Sequence, residues 1–223
     1  MSLTLAAAPP ASPELLDNGT FTLYINGARI GEERFLIRRE RAGSAGAVYR
    51  AGAELNLKLD GRTMRVSVGL EALGPQCRPV RYAAQINGSE ATTIVGMLIR
   101  DRIRLDVRSP RGDEMKEFLV RGKLAVLDRY IAHQYFFASM LLGDEVTTEA
   151  SVLVPQDGNQ EDVTIVDRGE EPVTVGQAEL QLRHIEIAMQ DGSTRHVWMD
   201  GVRVMKVEIP GVQFLAIRSD TAD

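Results

Sequence analysis

The chain has 223 residues, with 26 Lys and Arg against 31 Asp and Glu, a formal net charge of −5 and 44% hydrophobic residues. That apolar share is enough for a real core and excludes global disorder, and the acidic balance argues against a nucleic-acid binder. The length suits one large all-β domain better than two small ones.

Cys77 is the single cysteine. It excludes an intrachain disulfide and a CxxC redox or zinc-knuckle site, and beside Gly74-Pro75 and Pro79 it reads as a packed or loop residue. No stretch approaches the roughly 18 uncharged apolar residues of a membrane-spanning helix.

In chain order, residues 1–17 read as an N-terminal tail. Its Leu3–Ala8 run is too short for a signal core and no basic region precedes it. A Pro/Ala-rich lead-in of this kind is expected of a mature exported protein, periplasmic or secreted, whose signal has been removed. Residues 18–219 read as a single β-rich domain and 220–223 as a C-terminal tail. The first hairpin is "GTFTLYINGARIGEERFLI", where Asn26-Gly27 separates two alternating runs; both residues tolerate the positive φ of a type I′ turn. Gly31 interrupts the second run and predicts a bulge. "AELNLKLDGRTMRVSVGL" is a second hairpin about Asp60-Gly61. "VRYAAQIN" and "ATTIVGMLI" follow, and then Ile103, Leu105 and Val107 alternate with Arg102, Arg104, Asp106 and Arg108. The five Arg between Arg100 and Arg111 read as a solvated strand face rather than a phosphate track.

After the short run "MKEFLV" the pattern changes. In "DRYIAHQYFFASMLL" four of the twelve aromatics fall within eight residues, Tyr130 to Phe137. Ile131, Tyr135, Ala138 and Leu142 recur at helical spacing, so a helix is predicted from about Leu127 to Leu142, ended by Gly143. A helix apolar nearly all round must be covered on most sides. Burying Ile131, Tyr135, Phe136, Phe137, Met140, Leu141 and Leu142 contributes on the order of 10–20 kcal/mol before ordering entropy. His133 is placed in the helix's polar minority, as an interfacial or solvent-side residue rather than a base.

Strands then resume through "TTEASVLVP", "DVTIVDRG", "PVTVGQAELQLRHIEIAMQ", "TRHVWMDGVRVMKVEIPG" and "VQFLAIR". Leu180 and Leu182 have the opposite parity to Ile185, Ile187 and Met189. Either a bulge near Arg183-His184 resets the phase or the strand crosses between two environments. The expected fold is mainly β: a strongly curved antiparallel sheet, an open or half barrel of about eleven strands, wrapped around one central α-helix.

The opening "GTFTLYINGARIGEERFLI", the central helix led by Val126-Leu127-Asp128, and Trp198-x-Asp200 followed by Lys206-x-Glu208 resemble uncharacterised exported bacterial proteins. Their β-wrap is similar to that of the lipoprotein carriers LolA and LolB. The resemblance implies a curved sheet that accommodates acyl chains in its concave face. It is carried by short motifs spread from Gly19 to Arg218, none of them catalytic.

No nucleotide-binding loop, GxSxG elbow or HExxH motif occurs. One metal candidate exists: His184 and Glu186 share one strand face, as do His196 and Asp200 on the next. A two-residue Asp191-Gly192 turn, which Asp-Gly favours, would separate His184 from His196; a three-residue loop would bring all four residues together. A metal-dependent hydrolase built on them is the weakest reading, and neither a cofactor nor catalysis is expected. The leading expectation is a non-enzymatic envelope protein. It would bind a lipid or other hydrophobic ligand along Ile131, Tyr135, Phe136, Phe137 and Met140, with Trp198, the sole tryptophan, at the rim. The alternative is an envelope scaffold that contacts a protein partner and has a fully packed core.

Overall fold

The structure, a computed structural model, describes residues 12–41 and 46–220. The expected N-terminal lead-in therefore lies largely outside the described residues. Fifteen strands make one sheet. They are β1 (Glu14–Ile25), β2 (Ala28–Arg41), β3 (Ala47–Leu59), β4 (Arg62–Leu73), β5 (Arg78–Asn87), β6 (Thr92–Ile99), β7 (Arg102–Ser109) and β8 (Gly112–Leu119). After them come β9 (Leu124–Val126), β10 (Thr147–Val154), β11 (Asn159–Val175), β12 (Ala178–Met189), β13 (Thr194–Asp200), β14 (Arg203–Ile209) and β15 (Phe214–Arg218). The first strand thus begins ahead of the expected boundary at residue 18, and Asp17 is buried within it.

The spatial order is 8-7-6-5-4-3-2-1-15-14-13-12-11-10-9, and every pair is antiparallel except β9 with β10. This order dictates curvature. Strands β8 and β9 are the two edges, yet only Val120–Lys123 joins them. Such a link reaches at most roughly 18 Å, so the sheet must roll until its edges meet or overlap. The β9 edge slides inward, and Val126 and Leu153 pack beside Tyr82, Leu98 and Ile103 of β5–β7. The result is an open, barrel-like wrap without a closing ladder.

The local turn chemistry follows expectation where two-residue hairpins occur. Asn26-Gly27 and Asp60-Gly61 both have positive φ, at 51° and 74° and at 50° and 77°. The register of β1 on β2 shifts between Leu23 and Tyr24, opposite Gly31, so the predicted bulge is present. A Cβ at Gly31 would collide with the Asn56 carbonyl. The bulge resets the phase of β2: Ile30 faces inward before it, and Glu33, Phe35 and Ile37 face inward after it.

The count of about eleven strands is corrected to fifteen. "TRHVWMDGVRVMKVEIPG" hides a hairpin, because Asp200 pairs with Arg203 around Gly201, whose φ is 58°. "MKEFLV" belongs to a full edge strand, and Leu124–Val126, just ahead of the expected helix, is a strand of its own.

The long helix is the larger correction. Only Tyr135–Ser139 is α-helical (α1), and the remainder of Leu127–Leu142 runs through tight turns. The residues are nonetheless buried, as expected: Tyr135, Phe136, Phe137, Leu141 and Leu142 are at most 2% exposed. The helix fails because side chains take the backbone N–H groups. Gln134 Oε1 accepts from the Asp128 N–H (2.6 Å), and Glu33 accepts from the N–H groups of Ala132 (2.6 Å) and His133 (3.3 Å). Side-chain acceptors offer the backbone an alternative to the i→i−4 ladder, and Tyr130 at φ 63° interrupts helical geometry outright. Gly143 does take the expected left-handed conformation, at φ 56°.

The parity break in β12 marks two environments. Ile185, Ile187 and Met189 join the main core inside the wrap, whereas Leu182 joins Val173, Val175, Trp198 and Met205 in a separate outer cluster. The bulge lies in the partner strand, between Asp167 and Gly169, and β12 itself runs unbroken. Beyond that bulge the β11–β12 hairpin extends past β13 and packs on the outer side of β13–β15.

Candidate ligand cavity

At one end of the wrap, the segment Asp128–Tyr135 and the ends of β1, β12, β14 and β15 border an open cavity of about 500 Å³. Volumes of roughly 300–1,000 Å³ are usual for small-molecule sites. Its walls combine Ile25, Ile209 and Phe214 from the sheet with Tyr130, Ile131 and Tyr135 from the segment. The register explains this wall. Arg195 lies beside Ile187 and Ile209 beside Phe214, so one inward row of the sheet runs through these residues to Ile25.

Arg195 is the exception in that row. It has the inward parity of Val197 and Met199 on β13, and its Nη1 donates to the Tyr135 hydroxyl at 3.3 Å. Among the described residues it makes no ion pair, although Asp157, Glu161 and Asp191 also border the cavity. Asp157 is occupied by Arg129 and Glu161 by the side-chain amide of Asn159. Asp191 accepts the Ser193 N–H at 2.8 Å.

The floor is polar and closed. The Asp128 carboxylate accepts from the Tyr82 hydroxyl and from the N–H groups of Arg129 (3.1 Å) and Gln156 (3.0 Å). Burial pushes the Asp128 carboxyl above the ordinary Asp value, against these donors, and burial together with the neighbouring carboxylate holds Tyr82 well above the phenol range. Behind the segment, Glu33 and His133 are both fully buried. Glu33 holds the ring Nδ1 as well as the two backbone N–H groups, and Phe35 stacks on the imidazole with centroids 5.7 Å apart. His133 is therefore an anchor of the segment and not a solvent-side residue. The parity of Glu33 with Phe35 and Ile37 was visible in the strand pattern.

The expected lining set is divided. Ile131 and Tyr135 face the cavity. Phe136 and Phe137 pack edge to face in the core (centroids 5.1 Å, 89°), Phe136 also faces Tyr49, and Met140 packs on the core's margin. Trp198 lies on the opposite face of the sheet, in the outer cluster, and does not line the cavity. Its indole donates to Glu171 (2.6 Å), His184 stacks on it, and the Lys206 ammonium sits 4.5 Å above the ring. Arg195, Tyr130, Met189 and Phe214 were not singled out from the sequence. The charge of Arg195 on the apolar parity of β13 was the available sign.

The metal candidate is corrected as well. The β12–β13 connection is a three-residue loop, Gln190–Gly192, closed by Met189 N–H to Ser193 O (2.9 Å), so Asp-Gly does not form the favoured two-residue turn. His184, Glu186, His196 and Asp200 do share a face, but the rings spend their nitrogens on hydrogen-bond partners. His184 Nε2 meets His196 Nδ1 at 3.0 Å, His184 Nδ1 lies 3.2 Å from Glu171, and His196 Nε2 meets Thr194 Oγ1 at 3.1 Å. Glu186 accepts from Arg168 at 2.8 Å, and Asp200 is exposed. Among the described residues no group of three or more His, Cys, Asp or Glu is placed to hold a metal ion.

The arginine-rich strand face is solvated, with Arg104 on Asp106 (2.8 Å) and Arg111 on Glu90 (3.0 Å). Among the described residues no helix is long and apolar enough to cross a membrane.

No protein-family model and no curated protein matches the sequence. One solved structure that does match is described as a "Beta-barrel-like Protein of Domain of Unknown Function DUF1849 from Brucella abortus". It aligns with a TM-score of 0.53 at 8% sequence identity, over 92% of this chain and 98% of that one. The likeness is one of fold. It supports a β-rich, barrel-like architecture and does not extend to the lipoprotein carriers.

Proposed function

We propose that this chain is a non-enzymatic binding protein of the cell envelope that holds a lipid or similarly hydrophobic ligand inside its wrapped sheet. The observation that carries the reading is the cavity of about 500 Å³ between Ile131 and Tyr135 on one side and Ile25, Ile209 and Phe214 on the other. An apolar cavity with a few convergent polar groups is the usual form of a small-molecule site. The similarity to LolA and LolB read from the sequence motifs belongs to this proposal, as does the exported location that the Pro/Ala-rich lead-in suggests. Native mass spectrometry of the purified protein should reveal a co-purifying lipid, and a fluorescent fatty acid should bind saturably. Filling the cavity with Ile131→Trp should abolish that binding while the thermal transition remains cooperative. Empty extracts together with no saturable binding would sink the proposal.

A second reading, an interaction module, is favoured by one surface. Met97, Ile99 and Met115, at 50%, 53% and 57% exposure, share the outer face of β6–β8 at one edge of the sheet, interspersed with Arg102, Arg104 and Asp106. Binding of the probe by wild-type protein but not by Ile131→Trp would assign function to the cavity instead.

A further inference from the structure

Arg195 stands in an inward row whose neighbours are Ile187 and Ile209, on the wall of the cavity. An arginine there is out of keeping with packing alone, because moving an unpaired charge away from water is costly. Its one hydrogen bond, to the Tyr135 hydroxyl, uses one of five N–H donors. The carboxylates bordering the cavity are engaged elsewhere: Asp157 by Arg129, Asp191 by the Ser193 N–H, Glu161 by Asn159 and Asp128 by Tyr82. The guanidinium makes no ion-pair contact among the described residues and keeps donors free for a planar anion on the cavity wall.

We propose that the ligand is a single-chain amphiphile with a carboxylate head, which Arg195 and the Tyr135 hydroxyl bind while Ile131, Ile209 and Phe214 hold the chain. This rests on the cavity reading above. The carboxylate is preferred over a phosphate because Asp157, Glu161 and Asp191 border the same space, and their field penalises a doubly charged head more than a singly charged one.

The test is calorimetric titration of laurate and of its neutral isostere methyl laurate into the full chain and into Arg195→Gln. Wild-type protein should bind laurate roughly tenfold or more tightly than the ester, the usual scale of a charge-assisted hydrogen bond. Arg195→Gln should bind both alike, with the ester's affinity within about twofold of wild type. The wild-type comparison needs no variant and holds even if Arg195→Gln folds poorly. Equal binding of acid and ester by wild-type protein, or full discrimination retained by Arg195→Gln, would overturn the head-group assignment and leave the cavity reading intact. Binding of neither overturns both. Acetate or inorganic phosphate binding as tightly as laurate, lost in Arg195→Gln, would mean a free-anion site and overturn the amphiphile.

Discussion

Two of the charged side chains that point into this wrap, Glu33 and Arg195, are treated oppositely. Glu33 is completely enclosed and surrounded by donors: two backbone N–H groups and the His133 ring. Arg195 is half-buried beside a void, with a single phenolic partner. A buried charge with both carboxylate oxygens hydrogen-bonded is a fastening, since removing it strands its partners. A charge left with open donors beside a cavity is a recognition group. The same segment meets both, with Ala132 and His133 clamped by Glu33 and Ile131 and Tyr135 exposed to the cavity. One end of the interior is locked and the other is kept open.

The contrast is broken most severely at the locked end. Glu33→Ala should cost about 3–5 kcal/mol in urea denaturation, because it leaves the Ala132 and His133 N–H groups without acceptors. Arg195→Leu, which merely extends the apolar row, should change stability by less than about 1 kcal/mol. Equal losses from the two variants would erase the distinction. Of intermediate size is Trp198→Phe in the outer cluster. It keeps most of the apolar surface, removes the hydrogen bond to Glu171 and should cost about 1–2 kcal/mol with no effect on laurate binding. A change in binding would mean that the two faces are coupled.

The cavity floor predicts a pH effect. The carboxyl of Asp128 titrates above its unfolded value because of burial, so its contribution is fully present below the ordinary Asp range near pH 4 and declines as pH rises through the raised folded value. Stability of wild type relative to Asp128→Asn should therefore be greatest at about pH 3 and fall toward neutrality. A difference that grows with pH would reverse the assignment. The smallest perturbation concerns Cys77, whose thiol is buried and pushed up to about 12 by that burial. Its alkylation by iodoacetamide should proceed only through unfolding and track the denaturation curve. Rapid labelling of the native protein would contradict its place in the core.

Asn26-Gly27 and Asp60-Gly61 show what sequence reasoning captures well. Each turn forces a register, and each flanking run alternates, so hairpins and inward faces follow from local geometry. The parity break at Leu182–Ile185 likewise carried real information, since it separates the outer cluster from the core. Asp191-Gly192 shows the limit: the same dipeptide closes a three-residue loop here, with Gly192 alone at positive φ (84°), and the register of β12 on β13 shifts accordingly. The cavity was half legible. Ile131 and Tyr135 were anticipated, whereas Phe136, Phe137 and Trp198 were assigned to it only because hydrophobicity does not reveal which neighbour covers a side chain.

The sequence by itself determined that this protein is a single-cysteine, mainly β chain with one intensely apolar segment that the sheet must enclose. Period-two alternation and the segment's burial energy are local properties and survive any arrangement of the strands. Tertiary structure alone decided that the segment is not a long helix, because the acceptor that competes for its N–H groups, Glu33, lies about a hundred residues away. It likewise decided where the cavity opens and that Arg195 faces it, since both depend on the register of strands brought together only when the sheet rolls up.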